Sequence, residues 1–133
     1  MTKESKIVTY INTTETVKCK IDDEDTVNSS TTTLYSTGGF PAINDYDTEW
    51  AEDTVQIICK GLSMAEVNER IERIGKLLLS AENITGIQRI TNQSSKSFIK
   101  KDEKGRAVYA WNFLIKYNRS DIVTGKQIGR AHV

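Results

Sequence analysis

The feature that most constrains this chain is a capped, one-faced helix following directly on an apolar strand. In Gly61-Leu62-Ser63-Met64-Ala65-Glu66, Ser63 stands at a helix N-cap and Glu66 three residues on. In that arrangement each side chain satisfies the other's free backbone N–H. Met64, Val67, Ile71, Ile74, Leu77, Leu78 and Ala81 then recur at three- and four-residue steps, making a single apolar stripe. Such a stripe has to be buried against another layer, and the helix is predicted to end near 81–83. Glu69 and Arg73 sit four apart on its polar side and are placed to pair. Gly75 weakens a helix interior, and here it marks a close approach to the layer beneath.

That layer reads as a sheet. From Thr54 to Lys60, Val55, Ile57 and Cys59 alternate with Gln56, Ile58 and Lys60, and Ile58 makes the second face partly apolar. Such a strand suits an internal position covered on both sides. Residues 15–21 alternate as a half-buried strand carrying Val17, Cys19 and Ile21 on one side. Asp22-Asp23-Glu24-Asp25 ends it as a solvated turn, lacking the glycine and spaced oxygen ligands of a calcium loop. Residues 28–37 read as a polar, poorly buried edge strand. Gly38-Gly39-Phe40-Pro41 breaks it, and a long acidic loop follows from Ala42 to Asp53, carrying Ile43, Tyr46 and Trp50. Those aromatics either fold back over the chain's own core or anchor in a partner.

Later in the chain, residues 84–91 form a strand whose broken alternation calls for a bulge or an early turn, and residues 97–101 continue extended. Asp102-Glu103-Lys104-Gly105 is a hairpin turn leading into a long aromatic strand. Tyr109, Trp111, Phe113, Ile115 and Tyr117 share one face of that strand. Such a stripe resembles a base-stacking platform. With no basic residues alternating around the rings, packing beneath the helix is the expected use. Residues 1–13 are compatible with a short helix or an extended arm.

The chemistry of catalysis is missing from this pattern. His132 is the one histidine and lies at the very end, so a serine or cysteine nucleophile has no evident base. Cys19 and Cys59 are too few and too scattered for a zinc site, and neither Gly38-Gly39 nor Thr124-Gly125-Lys126 completes a phosphate-binding loop. The expectation is a protein that is no enzyme and uses no metal or cofactor. With no secretory apolar stretch at the start and no run of membrane-spanning length, the two thiols read as core side chains in a reducing cytoplasm. Residues 128–133 resemble a reading frame of a common sequencing adapter, so residues 1–127 are taken as one structural domain and the remainder as a non-native tail.

Formal charge is zero, which gives no electrostatic case for a nucleic-acid binder. The zero hides an imbalance. Residues 1–61 carry five lysines against eleven acids, and residues 62–133 carry thirteen basic residues against seven acids. Either the two stretches mix on one surface, or oppositely charged faces of neighbouring subunits meet.

From Thr33 to Asn118 the chain resembles the minor capsid and tail-terminator proteins of tailed bacteriophages. The resemblance is carried by Tyr35-Ser36-Thr37-Gly38-Gly39-Phe40-Pro41, by Asp53-Thr54-Val55-Gln56-Ile57-Ile58-Cys59-Lys60-Gly61, by the capped helix ending in Leu77-Leu78, and by the strands and turn after it. It implies an α+β fold, a small mixed or antiparallel sheet packed against one main amphipathic helix. The N-terminal helix usual in such proteins would here be reduced to about Lys6–Thr13, unless the start is incomplete.

By the same resemblance the protein would form a homo-oligomeric ring, commonly of six subunits. The ring would cap the tail tube and dock to the head connector, at the head–tail junction of a virion assembled in the host cytoplasm. DNA would pass through without specific recognition, and no membrane is involved. Candidate contacts with other subunits or partners are Phe40, Ile43, Tyr46, Glu49, Trp50 and Glu52. The alternatives are a head-completion or connector protein of the neck, a nucleic-acid-binding module using the aromatic strand, and a small toxin, inhibitor or regulatory protein.

Overall fold

The computed structural model describes residues 2–36 and 50–118. In chain order these form α1 (Lys3–Asn12), β1 (Cys19–Ile21), β2 (Thr31–Ser36), β3 (Trp50–Gly61), α2 (Met64–Leu79), β4 (Ile87–Asn92), β5 (Ser97–Lys101) and β6 (Ala107–Asn118). The strands make one sheet in the order β1-β2-β3-β6-β4, with β5 also paired to β6. β1 runs parallel to β2 and every other pairing is antiparallel, so the sheet is mixed. The fold is α+β, with two helices rather than one: the N-terminal stretch forms a ten-residue helix capped by Thr2, whose hydroxyl accepts from Ser5 N–H at 3.1 Å.

β3 and β6 are the spine. Each is twelve residues long, and they pair without a break from Trp50 opposite Asn118 to Gly61 opposite Ala107. β4 and β5 lie end to end along the far side of β6, the first against Phe113–Tyr117 and the second against Ala107–Ala110. The expected bulge falls between Ile87 and Arg89.

Both helices cover one face of this sheet. Val67, Ile71, Ile74 and Leu78 of α2 pack with Val55, Ile57 and Cys59 of β3 and Phe113 and Ile115 of β6, and Ile7 and Ile11 of α1 extend the same core. The aromatic stripe of β6 thus lies under the helices, and its use as a stacking platform is excluded. At Gly75 the approach is so close that an added Cβ would fall 2.0 Å from Cζ3 of Trp111. That indole is held in turn by its N–H, which donates to the Ser94 carbonyl at 2.7 Å.

Several local expectations are corrected. β2 is neither an edge nor poorly buried, because β1 pairs outside it and Thr31, Thr32, Thr33 and Leu34 are all buried. The early strand shrinks to Cys19–Ile21, because the chain before it turns back on α1: Glu15 N–H bonds to the Ile11 carbonyl at 3.2 Å. Glu15 is buried and takes Arg73 through two bonds, of 3.0 and 3.2 Å, so the expected Glu69–Arg73 pair gives way to this one. The loop assigned to 42–53 ends earlier, because strand β3 already begins at Trp50 opposite the end of β6. α2 stops at Leu79, where Ser80 caps it by donating its hydroxyl to the Lys76 carbonyl. Only half of the expected capping box forms. Ser63 accepts from Glu66 N–H at 3.3 Å, while the Glu66 carboxylate turns to Arg70 instead.

Arg70 is the largest fully buried side chain. Nη1 donates to the Thr31 carbonyl at 3.0 Å and to Thr32 Oγ1 at 3.1 Å, and Nη2 donates to the Lys60 carbonyl at 2.8 Å. Nε lies 3.2 Å from Glu66 Oε2, close enough for ion pairing though out of hydrogen-bond alignment. One guanidinium therefore pins α2 to both β2 and β3. Lys3 does similar work for α1. Burial lowers its pKa, but the carboxylates of Glu4 and Asp53, at 2.8 and 3.0 Å, outweigh that and raise it. Its ammonium also sits 4.9 Å from the centre of the Tyr117 ring.

Candidate interaction surface

With both helices on one face, the other sheet face is where a site can form. Strand alternation assigns it Tyr35 from β2, Gln56, Ile58 and Lys60 from β3, and Val108 and Ala110 from β6. These residues floor a cavity of about 690 Å³. One wall is the 22–30 connection, which crosses this face between the parallel strands β1 and β2. The other is β5 with the turn that follows it. Ile58 was expected to be covered on its outer side, and in the structure it lies half-buried on the cavity floor.

The walls are braced across the cavity by Arg106. Its Nε donates to Asp102 Oδ2 at 2.7 Å, and its Nη1 donates to the carbonyls of Asn28 at 2.8 Å and Asp25 at 3.3 Å. Asp102 also accepts from the backbone N–H groups of Lys104 and Arg106. Desolvation raises the Asp102 pKa, but these donors and the guanidinium outweigh it and hold the carboxyl below its ordinary value.

The acidic turn opposite is similarly ordered. Asp25 accepts from the Asn28 side chain at 2.7 Å, from the backbone N–H groups of Val27 and Asn28, and from Lys20 at 3.0 Å. Those bonds, the Asn28 amide foremost, hold its carboxyl well below the usual carboxylate range. Asp22 and Asp25 adopt φ of 51° and 28°, a left-handed turn that short polar side chains tolerate. The quartet is thus the solvated turn expected from sequence, with Asp25 locked by hydrogen bonds and Glu24 lining the cavity.

The cavity's rim is both apolar and charged. On β5, the bulge between Phe98 and Lys100 leaves Ile99 53 % exposed at the lip, while Phe98 meets Tyr109 edge-on at 5.4 Å on the other face of the sheet. Lys60 pairs with Glu24 at 3.8 Å, whereas Lys100, Lys101 and Lys104 form no ion pair among the described residues. Of the residues singled out from sequence, Trp50 and Glu52 lie on this same sheet face, at its opposite end, with Glu52 directly across from Lys116. Phe40, Ile43, Tyr46 and Glu49 fall outside the described residues, as do the Gly38–Pro41 break and residues 128–133.

Chemically the surface offers packing and charge. Among the described residues no three His, Cys, Asp or Glu side chains group to hold a metal. Both thiols are buried away from the cavity, and burial pushes Cys19 up to about 12 and Cys59 up to about 11. No helix is long and apolar enough to cross a membrane among the described residues.

The model of a protein family described as bacteriophage tail terminator protein matches residues 6–119, from within α1 to just past the end of β6. The chain belongs to that family. This terminator is therefore a structural protein of tailed bacteriophages and not an enzyme, in agreement with the residue chemistry. A comparison with curated proteins returns no match. The family match spans nearly all of the described fold, including most of α1, which the sequence resemblance starting at Thr33 had left aside.

Sequence reasoning missed Arg70, Arg106 and the cavity itself. Arg70 carried a signal, since its spacing from Val67, Ile71 and Ile74 places it on the buried face of α2. Arg106 carried none: its partners at Asp25 and Asn28 are brought near only by the strand order.

Proposed function

We propose that this terminator acts as a closed ring of identical subunits, six being the number the resemblance implies. The ring stops growth of the tail tube and gives the head connector its docking surface. In this reading the contacts are made by the sheet face free of helices and by the residues Phe40, Ile43, Tyr46, Glu49, Trp50 and Glu52. The observation that carries it is a sheet face with an apolar floor and an unpaired cationic rim, held open by Arg106. A concavity with an apolar floor and convergent charged groups is the usual form of a binding site. The family match favours the tube end over a connector role one ring higher.

The test is the solution mass of the 15.0 kDa chain by light scattering over a range of concentrations, followed by negative-stain imaging with and without tail-tube protein. Rings, or a sharp shortening of growing tubes, are the expected results. A chain that stays monomeric at every concentration and leaves tube length unchanged overturns the reading.

A further inference from the structure

Resting on the ring reading above, we propose that the 24–35, 56–60 and 99–110 cavity receives a second copy of this chain, and that the part received is its acidic, aromatic segment 42–49. The floor of Ile58, Val108 and Ala110 with Ile99 at the lip suits an apolar or aromatic anchor. The charge of the rim selects what accompanies that anchor. Lys60 is occupied by Glu24 and Arg106 by Asp102, while Lys100, Lys101 and Lys104 have no acidic partner among the described residues. Lys100 and Lys104, which line the cavity, with Lys101 beside them, therefore favour an acidic visitor.

The chain itself contains one that fits. Residues 42–49 read Ala-Ile-Asn-Asp-Tyr-Asp-Thr-Glu, with acids at 45, 47 and 49. Alternate spacing puts all three on one side of an extended segment and leaves Tyr46 on the other. β5 pairs with β6 alone among the described residues, so its outer edge can accept such a segment as an added strand.

A neighbour, rather than the same subunit, is the better donor. Segment and cavity are different surfaces of one chain, and joining unlike surfaces head to tail is what generates a ring. The described chain leaves β2 at Ser36, opposite Val55 and next to Tyr35 and Gln56 on the cavity floor, whereas the Lys60 and Val108 end of the cavity lies roughly 17 Å further along the strand at about 3.3 Å per residue.

Two charge reversals test this, one carrying K100E, K101E and K104E and the other D45K, D47K and E49K. Thermal melts establish that each variant folds, and light scattering reads assembly. Each set alone is expected to weaken self-association at least tenfold, and a chain carrying both sets is expected to regain it. As a second measurement, proteins carrying I99C or Y46C are mixed under oxidising conditions, the buried native thiols staying unreactive. A cross-link between the two chains is expected.

If the wild-type chain assembles and both reversal sets assemble equally well, the cavity inference falls and the ring reading stands. A cross-link found only within a single chain carrying both cysteines places the segment on its own subunit, which also overturns the inference. A wild-type chain that never exceeds monomer mass, with or without tube ends, overturns the ring reading and this inference with it.

Discussion

Gly75 shows how one residue type can set the distance between two layers. Alanine there improves helix propensity by about 1 kcal/mol, but its methyl group enters the rigid Trp111 ring. Overpacking of that kind costs roughly 1–3 kcal/mol, so Gly75→Ala is expected to lower stability in urea titration. A G75A/W111A double mutant should recover part of the loss. The role of Gly75 was legible from sequence because a glycine amid an apolar stripe has few other uses. Arg70 was not, because its acceptors come from strand register rather than from nearby sequence. Arg70→Met leaves the carbonyls of Thr31 and Lys60 without their donor and is expected to cost about 2–4 kcal/mol by the same titration. Lysine will not rescue it, since one ammonium cannot reproduce the planar fork. The two thiols make a third case. Their raised values mean the folded state keeps its protons, so their stabilising contribution is whole below the ordinary thiol value near 9 and fades as pH rises towards 11–12. Labelling by a thiol reagent at neutral pH should be negligible in the native protein and complete after unfolding.

At the scale of elements, α2 was the most legible part because its signal is local. Ser63, Glu66 and the stripe all lie within one stretch of chain. Ser63→Ala removes the one cap acceptor that the structure shows and is expected to cost about 1 kcal/mol, read as a drop in the denaturant midpoint. β2 was misread because Ser and Thr suggest exposure, whereas here Thr32 accepts from Arg70 and Thr33 donates to the Asp23 carbonyl at 2.7 Å. Hydroxyls satisfied from outside their own strand give no sign of it in sequence. The hairpin of β5 and β6 carries its own pH dependence. Asp102 is held below its ordinary pKa, so its contribution is present above the normal carboxylate range and is lost as pH falls through it. Amide exchange across 102–106 should accelerate on acidification, and Asp102→Ala should show that faster exchange already at neutral pH.

For the whole molecule, the family and the α+β class were readable from the order of strand, helix, turn and strand, while the strand order in the sheet was not. The acidic first half supplies β1, β2 and β3, and the basic second half supplies β4, β5 and β6, so the charge imbalance follows the sheet from one side to the other. That separation is only partial, since Arg73 reaches Glu15 and Arg106 reaches the 25–28 turn. If the residual fields help to orient neighbours, assembly should weaken as salt rises from 50 mM to 500 mM, by light scattering, with no matching loss of thermal stability. The central place of β6 has a consequence for how the protein is made. It is the last element of the described fold, yet β3, β4 and β5 all pair with it, and its contacts with β3 span 46 residues at Gly61–Ala107 and 68 at Trp50–Asn118. On the ribosome the sheet can close only after β6 has emerged, and pairing across such separations is slow. A prematurely terminated product lacks the strand around which everything else is arranged. It has no finished surface to offer a partner.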